Sequence, residues 1–120
     1  MSTNERRVVV TGIGLLSPLG NSMEALSSAL KNNKSGIQTM PEWDKIENLR
    51  SKVAGVCDNV DEKLIPRKYR RTMGRVAILS SIAALDAVRD SGLSESDISS
   101  TECGVSFGST EGSTATIERF

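Results

Sequence analysis

Apolar residues follow a strand-like pattern at two places in this chain. Val8, Val9 and Val10 form an unbroken β-branched run, and residues 103–108 form a second run of apolar and small residues. A run that is apolar on both faces is typical of a buried, central strand of an α/β sheet. The sequence therefore predicts two buried strands here, and a shorter strand at 53–57.

A helical pattern is strongest between residues 66 and 91, where apolar residues recur at steps of three and four. Pro66 suits the first position of a helix, and Gly92 suits the position just after its end. The pattern predicts one long helix over 66–91 whose middle is buried on most sides.

A second helix is predicted at 21–32, with Asn21 as its N-cap and Glu24 as the capping-box partner. Gly36 provides the stop signal that follows it.

The remaining elements are short. Residues 37–62 have no regular period except at the candidate strand, although 61–64 fit one helical turn. Ser94, Ser96 and Asp97 predict a short capped turn, and Thr114 begins a further helix.

Composition restricts the class of protein. The chain has 120 residues, enough for one compact domain, and its 38% hydrophobic and 25% charged residues are ordinary for a globular protein. Its formal net charge is zero, so no global field favours nucleic acid or a membrane. The N-terminus has no signal-peptide pattern, and no apolar stretch has the length of a membrane span. We expect a cytoplasmic protein.

Residue types that often carry chemistry are scarce. There is no histidine, which removes the commonest general base and metal ligand. Cys57 and Cys103 lie far apart, and neither has a metal-ligand spacing or a nearby base. The sequence predicts two buried, reduced thiols, no metal site and no cofactor.

A Gly-x-Gly turn follows the first predicted strand at Gly12 and Gly14, as it does in dinucleotide-binding domains. Ser17 stands where the third glycine of that fingerprint would be, and the predicted helix begins only at Asn21. A pyrophosphate would therefore lack the helix N-terminus that normally binds it. A structural turn is the better interpretation, and a dinucleotide site remains the alternative.

Five cations cluster where the long helix is predicted to begin: Arg67, Lys68, Arg70, Arg71 and Arg75. Cations at a helix N-terminus oppose its dipole, at a cost of a few tenths of a kcal/mol each. Residues 67, 71 and 75 would share one helix face. This unfavourable placement favours a docking site for an anionic partner over a solvated or acid-paired surface, which remains the alternative.

Residues 108–113 form a glycine-rich loop of small residues after the second predicted strand. Such a loop lets the backbone approach a ligand or another chain closely. Glu111 is the only charged residue in it.

Several segments, taken in order, resemble the N-terminal region of elongating β-ketoacyl-acyl-carrier-protein synthases of the thiolase-like superfamily. The matching segments are RRVVVTGIGLLSPLGN (6–21), SGI (35–37), IPRKYRRTM (65–73), AALDAVRDSGL (83–93) and GVSFGS (104–109). Together they extend over nearly the whole chain.

The resemblance implies an α/β fold class, here the N-terminal part of a thiolase-like α-β-α-β-α layered fold, in a homodimer of the full-length protein. It implies acyl transfer to a cysteine and decarboxylative condensation with malonyl-acyl carrier protein, so that acyl carrier protein and malonyl and acyl thioesters are the partners. The family's nucleophilic cysteine and two histidines follow well after the glycine-rich loop. We therefore expect residues 1–120 to be a partial domain, truncated before the catalytic cysteine and inactive alone, with no catalytic residue in this chain.

The resemblance implies roles for two sets of residues. Arg67, Lys68 and Arg71 match the basic segment where the family docks the acidic carrier protein. Gly108, Ser109 and Glu111 match the loop that borders the acyl pocket. Relatives often have glycine or an apolar residue where Glu111 stands, and a desolvated carboxylate beside an alkyl chain is unfavourable, so handling of long saturated chains is in question. A non-catalytic partner subunit of the chain-length-factor type is therefore a second hypothesis.

Overall fold

The computed structural model describes residues 6–118. The α-helices and β-strands in this part of the chain, in order, are α1 (Met23–Lys31), β1 (Ile37–Thr39), β2 (Val53–Gly55), α2 (Arg67–Arg70), α3 (Arg75–Ser91), α4 (Glu95–Ile98) and α5 (Thr114–Ile117). Short 3-10 helices lie at Pro41–Lys45 and Glu62–Leu64. No helix between residues 6 and 118 is long and apolar enough to cross a membrane.

The small core lies on one side of α3. Ile78 and Ile82 are four residues apart and so point to the same side of the helix, and only 3% of Ile82 is exposed. Both pack with Ile65, which precedes α2. Gly92 ends α3 in the left-handed conformation with φ 66°, as its position in the sequence predicted.

The prediction of one helix over 66–91 is wrong, because the chain breaks between α2 and α3. Gly74 has an extended backbone (φ −77°, ψ 168°) and is the N-cap of α3. Glycine is a poor helix former. Its missing side chain also leaves room for Ser113, because a Cβ atom at Gly74 would lie 2.6 Å from the Ser113 Cβ atom. Pro66 accordingly precedes α2 as its N-cap and is not the first residue of a long helix.

The helix predicted at 21–32 forms, but its cap differs. Ser22 is the N-cap, and its hydroxyl accepts a hydrogen bond from the Ala25 amide at 3.2 Å. The Asn21 side chain instead donates to the Asn59 carbonyl at 3.2 Å. The capping box predicted for Asn21 and Glu24 is therefore wrong, and α1 ends at the Asn32 C-cap, before Gly36.

Strands β1 and β2 form an antiparallel ribbon, with Ile37 opposite Gly55 and Thr39 opposite Val53. The strand predicted at 53–57 is confirmed in a shorter form, whereas β1 lay in a stretch without a regular pattern. The helical turn predicted at 61–64 is confirmed and is a 3-10 helix, in which Asp61 caps Glu62–Leu64 by accepting a hydrogen bond from the Lys63 amide at 3.0 Å.

The two strands predicted as buried are not strands in this structure. Val8 is 94% exposed and Val105 is 80% exposed, and neither segment 8–10 nor segment 103–108 has an assigned strand partner. A β-branched run favours a strand only when a neighbouring strand supplies the ladder hydrogen bonds. Residues 6–118 supply no such neighbour to either segment. Cys103 is consequently exposed and Cys57 partly exposed, so the predicted burial of both thiols is also wrong.

The capped turn predicted near residue 94 is confirmed at α4. Ser94 and Asp97 form a capping box in which the Asp97 amide donates to the Ser94 hydroxyl at 3.2 Å. The side-chain and backbone hydrogen bonds from Ser94 lower the pKa of the Asp97 carboxyl below its ordinary value. The helix predicted to begin at Thr114 is also confirmed, as α5.

The exposed apolar segments predict that an isolated 1–120 polypeptide associates or is poorly soluble. Val105 and Phe107 border an apolar groove of about 390 Å³ beside Leu85 and Val88 of α3. In aqueous solution, apolar surface of this kind tends to associate with other apolar surface. Light scattering on the purified chain is expected to show polydisperse assemblies, and a monodisperse monomer with cooperative melting would contradict this.

Candidate functional site

The Gly-x-Gly segment packs directly against the backbone of α3. A Cβ atom at Gly14 would lie 2.6 Å from the Ala87 nitrogen, and one at Gly12 would lie 2.6 Å from the Ser91 nitrogen. Only glycine allows backbone to approach backbone this closely. The two glycines therefore serve the contact between this segment and α3.

This arrangement does not suit a dinucleotide. The Ile13 amide between the two glycines donates to the Asp90 Oδ2 atom of α3 at 2.9 Å. The Asp90 carboxylate thus already accepts the hydrogen bond that this amide would have to donate to a phosphate. Its negative charge would also repel the phosphate. Helix α1 begins only at Met23, so no helix N-terminus follows the turn. The geometry therefore favours a structural role for Gly12 and Gly14 over a dinucleotide-binding site.

The basic cluster separates into two groups. Arg67 and Lys68 lie on α2, Arg71 follows it, and all three side chains are exposed. None of the three forms an ion pair with a carboxylate among residues 6–118. The Lys68 ammonium lies 4.5 Å from the centre of the Tyr69 ring, a cation–π contact within the patch. These three cations form a patch that we call the free basic patch.

Arg70 and Arg75 are instead paired within the protein. The Arg75 Nη1 atom donates to Glu62 Oε1 at 2.9 Å, and its Nη2 atom donates to the Cys57 carbonyl at 2.6 Å. The Arg70 Nη1 atom lies 3.9 Å from Glu62 Oε2. The expectation that residues 67, 71 and 75 share one helix face is therefore wrong, because Arg75 begins a separate helix.

The helix break also changes the electrostatic argument for docking. The sequence placed all five cations at the positive end of one long helix dipole. Helix α2 has only one turn, so its dipole is small, and the unfavourable placement inferred from the sequence does not apply to Arg67 and Lys68. The physical support for docking is now the exposure of the free basic patch and its lack of carboxylate partners in the described structure.

The glycine-rich loop lies open to solvent, with Gly108, Ser109 and Glu111 all exposed. Inside the loop, the Gly112 amide donates to the Ser109 hydroxyl at 3.0 Å.

The far end of the loop is anchored at the start of α3. The Val76 amide donates to the Ser113 hydroxyl at 3.0 Å, so Ser113 caps a helix that begins 38 residues before it. The loop therefore ends near Gly74, which follows the free basic patch. No local pattern in the sequence indicates this contact, because the partners are distant along the chain.

No group of three or more metal-ligating side chains occurs in residues 6–118.

Comparison with known proteins identifies the family. The family model "Beta-ketoacyl synthase, N-terminal domain" matches residues 5–119, almost the whole chain. The chain belongs to this family.

Individual relatives agree with that assignment. The chain is 38% identical over 108 residues to 3-oxoacyl-[acyl-carrier-protein] synthase 1 of Haemophilus influenzae, a match that covers 90% of this chain and 26% of the relative. A crystal structure of a β-ketoacyl synthase from Burkholderia phymatum superposes with a TM-score of 0.68 at 33% identity, covering 76% of this chain and 22% of that one. A structure of the ishigamide ketosynthase/chain length factor superposes with a TM-score of 0.62 at 30% identity, covering 77% and 23%.

These likenesses confirm the fold class expected from the sequence, an α/β chain that corresponds to the N-terminal part of a thiolase-like ketosynthase. The chain spans about a quarter of the length of the curated relatives it matches.

Proposed function

We propose that this chain is the N-terminal part of a 3-oxoacyl-[acyl-carrier-protein] synthase. The complete protein would take an acyl group onto a cysteine and condense it with malonyl-acyl carrier protein, releasing carbon dioxide. Family membership and the named relatives support this proposal. Within it, the present chain contributes scaffold, a docking surface and a pocket loop.

The chain alone is expected to be inactive. It has no histidine, and both of its cysteines, Cys57 and Cys103, precede the glycine-rich loop, whereas the family's nucleophilic cysteine follows it. The cysteine and two histidines of the family's reaction would be supplied by residues outside these 120.

Docking of the acidic carrier protein is the role that we assign to Arg67, Lys68 and Arg71. The observation that carries this assignment is that all three are exposed and have no carboxylate partner among residues 6–118. Guanidinium and ammonium groups open to solvent can exchange hydration for contacts with carboxylates of a partner. Such contacts steer association and fix the orientation of the partner, and salt weakens them.

We assign Gly108, Ser109 and Glu111 to the loop that borders the acyl pocket. Glu111 would place a carboxylate close to the acyl chain, where a desolvated charge is unfavourable. The proposal therefore includes a preference against long saturated chains. It also includes a homodimeric, cytoplasmic complete protein, in line with the family resemblance.

A second candidate is a non-catalytic subunit that pairs with an active synthase and shapes its pocket. The likeness to a ketosynthase/chain length factor structure and the charge of Glu111 favour it. The two candidates differ in whether the complete reading frame retains the cysteine and both histidines.

The direct experiment uses the protein encoded by the complete reading frame that contains these residues. Purified protein is incubated with acyl- and malonyl-acyl carrier protein, and mass spectrometry follows the carrier-bound products. We expect a 3-oxoacyl carrier protein extended by two carbons. If no extended product forms alone, but one forms after addition of a partner synthase, the non-catalytic candidate is correct.

A further inference from the structure

We propose that Arg75 and Glu62 are positioning residues for the docking surface, and that they hold the free basic patch in place without contacting the carrier protein. This inference rests on the proposed function, because it concerns the same docking surface. It begins from a three-residue contact that joins α2 to α3, which we call the Arg70–Glu62–Arg75 clamp.

The clamp uses both oxygens of one carboxylate. Glu62 Oε1 accepts a hydrogen bond from Arg75 Nη1 at 2.9 Å, and Glu62 Oε2 faces Arg70 Nη1 at 3.9 Å. Arg75 also donates to the Cys57 carbonyl at 2.6 Å, so one guanidinium joins two segments that precede α2. The planar fork of arginine allows both bonds at once, which the single ammonium of lysine does not reproduce.

Helix α2 needs such a contact to hold its position. A helix of one turn has too few internal hydrogen bonds to be stable in water without tertiary support. Its direct covalent link to α3 runs through residues 71–74, where the chain leaves helical geometry at Gly74. On its other side, buried Ile65 anchors the chain to the core. The clamp is thus a polar contact that links α2, and with it Arg67 and Lys68, to α3.

The clamp also makes Arg75 unsuitable as a docking cation. An acidic group on the carrier protein would have to compete with Glu62, which already contacts Arg75 at hydrogen-bond distance. Partly exposed ion pairs contribute little to overall stability. We therefore expect loss of the clamp to change the geometry of docking more than the stability of the fold.

The first test is Arg75→Lys in the complete protein, a change that keeps the charge and removes the fork. We expect the KM for carrier-borne substrate to rise about threefold or more, with kcat within about twofold of wild type. The KM for the same acyl group on a pantetheine thioester, which has no carrier protein to dock, is expected to stay unchanged. Arg89→Lys is the matched control, because Arg89 is an exposed arginine of α3 paired with Asp86 at 3.1 Å.

The second test is Glu62→Ala. A role of Glu62 through its charge alone and a positioning role predict opposite changes in the KM for carrier-borne substrate. If Glu62 acted only through its charge, its removal would make the surface more positive and lower the KM for carrier-borne substrate. The positioning role predicts a higher KM, because α2 is no longer held. A lower KM for Glu62→Ala, or an unchanged KM for Arg75→Lys, would overturn the inference. An equal rise of KM for carrier-borne and pantetheine substrates would also overturn it, since that indicates a general structural defect.

Failure of this inference is distinguishable from failure of the docking surface itself. If a variant with Arg67, Lys68 and Arg71 replaced by alanine has a raised KM for carrier-borne substrate and Arg75→Lys does not, only the positioning role fails. If the alanine variant leaves this KM unchanged, both proposals fail.

Discussion

Replacing Arg67, Lys68 and Arg71 together with glutamate is expected to raise the KM of the complete protein for carrier-borne substrates by at least about tenfold. The three side chains are exposed and have no carboxylate partner among residues 6–118, so the change should leave the ion pairs of this part of the chain intact and remove only the exposed contact of Lys68 with the Tyr69 ring. Reversed charges would repel an acidic carrier protein where the wild-type surface attracts it. Steady-state kinetics with carrier-borne and pantetheine thioesters measures the effect, and only the first KM should rise.

A matched control separates a local effect from a change of net charge. Lys31, Lys34 and Arg50 are also exposed, and they lie at the end of α1 and in the loops beside the β ribbon. Their replacement with glutamate changes the net charge by the same amount but leaves the free basic patch intact. If this control raised the KM as much as the first variant, the docking assignment would be wrong.

Gly14→Ala is expected to destabilise the complete protein by about 1–3 kcal/mol or more, because the added methyl group would overlap the backbone of α3. Its nearest neighbours are the Ala83 carbonyl oxygen and the Ala87 nitrogen, and backbone atoms cannot move aside as a flexible side chain can. Denaturant unfolding measures the loss as a lower midpoint.

Gly92→Ala provides the comparison for this prediction. Gly92 has φ 66° and no atom within 4 Å of an added Cβ, so alanine there meets only the left-handed backbone penalty of about 1 kcal/mol. The close packing of Gly14 on α3 predicts the larger loss at Gly14. A Gly14→Ala variant as stable as wild type, or more stable than Gly92→Ala, would contradict that packing.

Features that depend on neighbouring residues were predictable from the sequence. The α4 cap at Ser94, the end of α3 at Gly92 and the turn at Glu62–Leu64 each depend on hydrogen bonds or φ angles within a few residues. Helix α1 was predicted for the same reason, although adjacent Asn21 and Ser22 are both good caps and the pattern could not choose between them.

Features that depend on distant residues were not predictable. The break at Gly74 is stabilised by Ser113, and no local pattern connects the two. The runs at 8–10 and 103–108 have strand-forming residues, but a strand also needs a partner, which residues 6–118 do not provide.

The candidate site also combines features that depend on nearby residues with features that depend on distant ones. The sequence located the basic cluster at 67–75, but it treated the five cations as one group. Their separation into a free patch and a clamp depends on where Glu62 and the Cys57 carbonyl lie in three dimensions. Charge spacing along the chain contains no information on that.

The most direct measurement of the central claim is the dissociation constant of the complete protein for acyl carrier protein at low and high salt. Isothermal titration in 50 mM and 500 mM NaCl would show whether the exposed cations bind the carrier. We predict that binding weakens by at least about tenfold at the higher salt concentration, because exposed ion pairs are screened. A dissociation constant that does not change with salt, or an absence of binding at either concentration, would contradict the proposed docking surface.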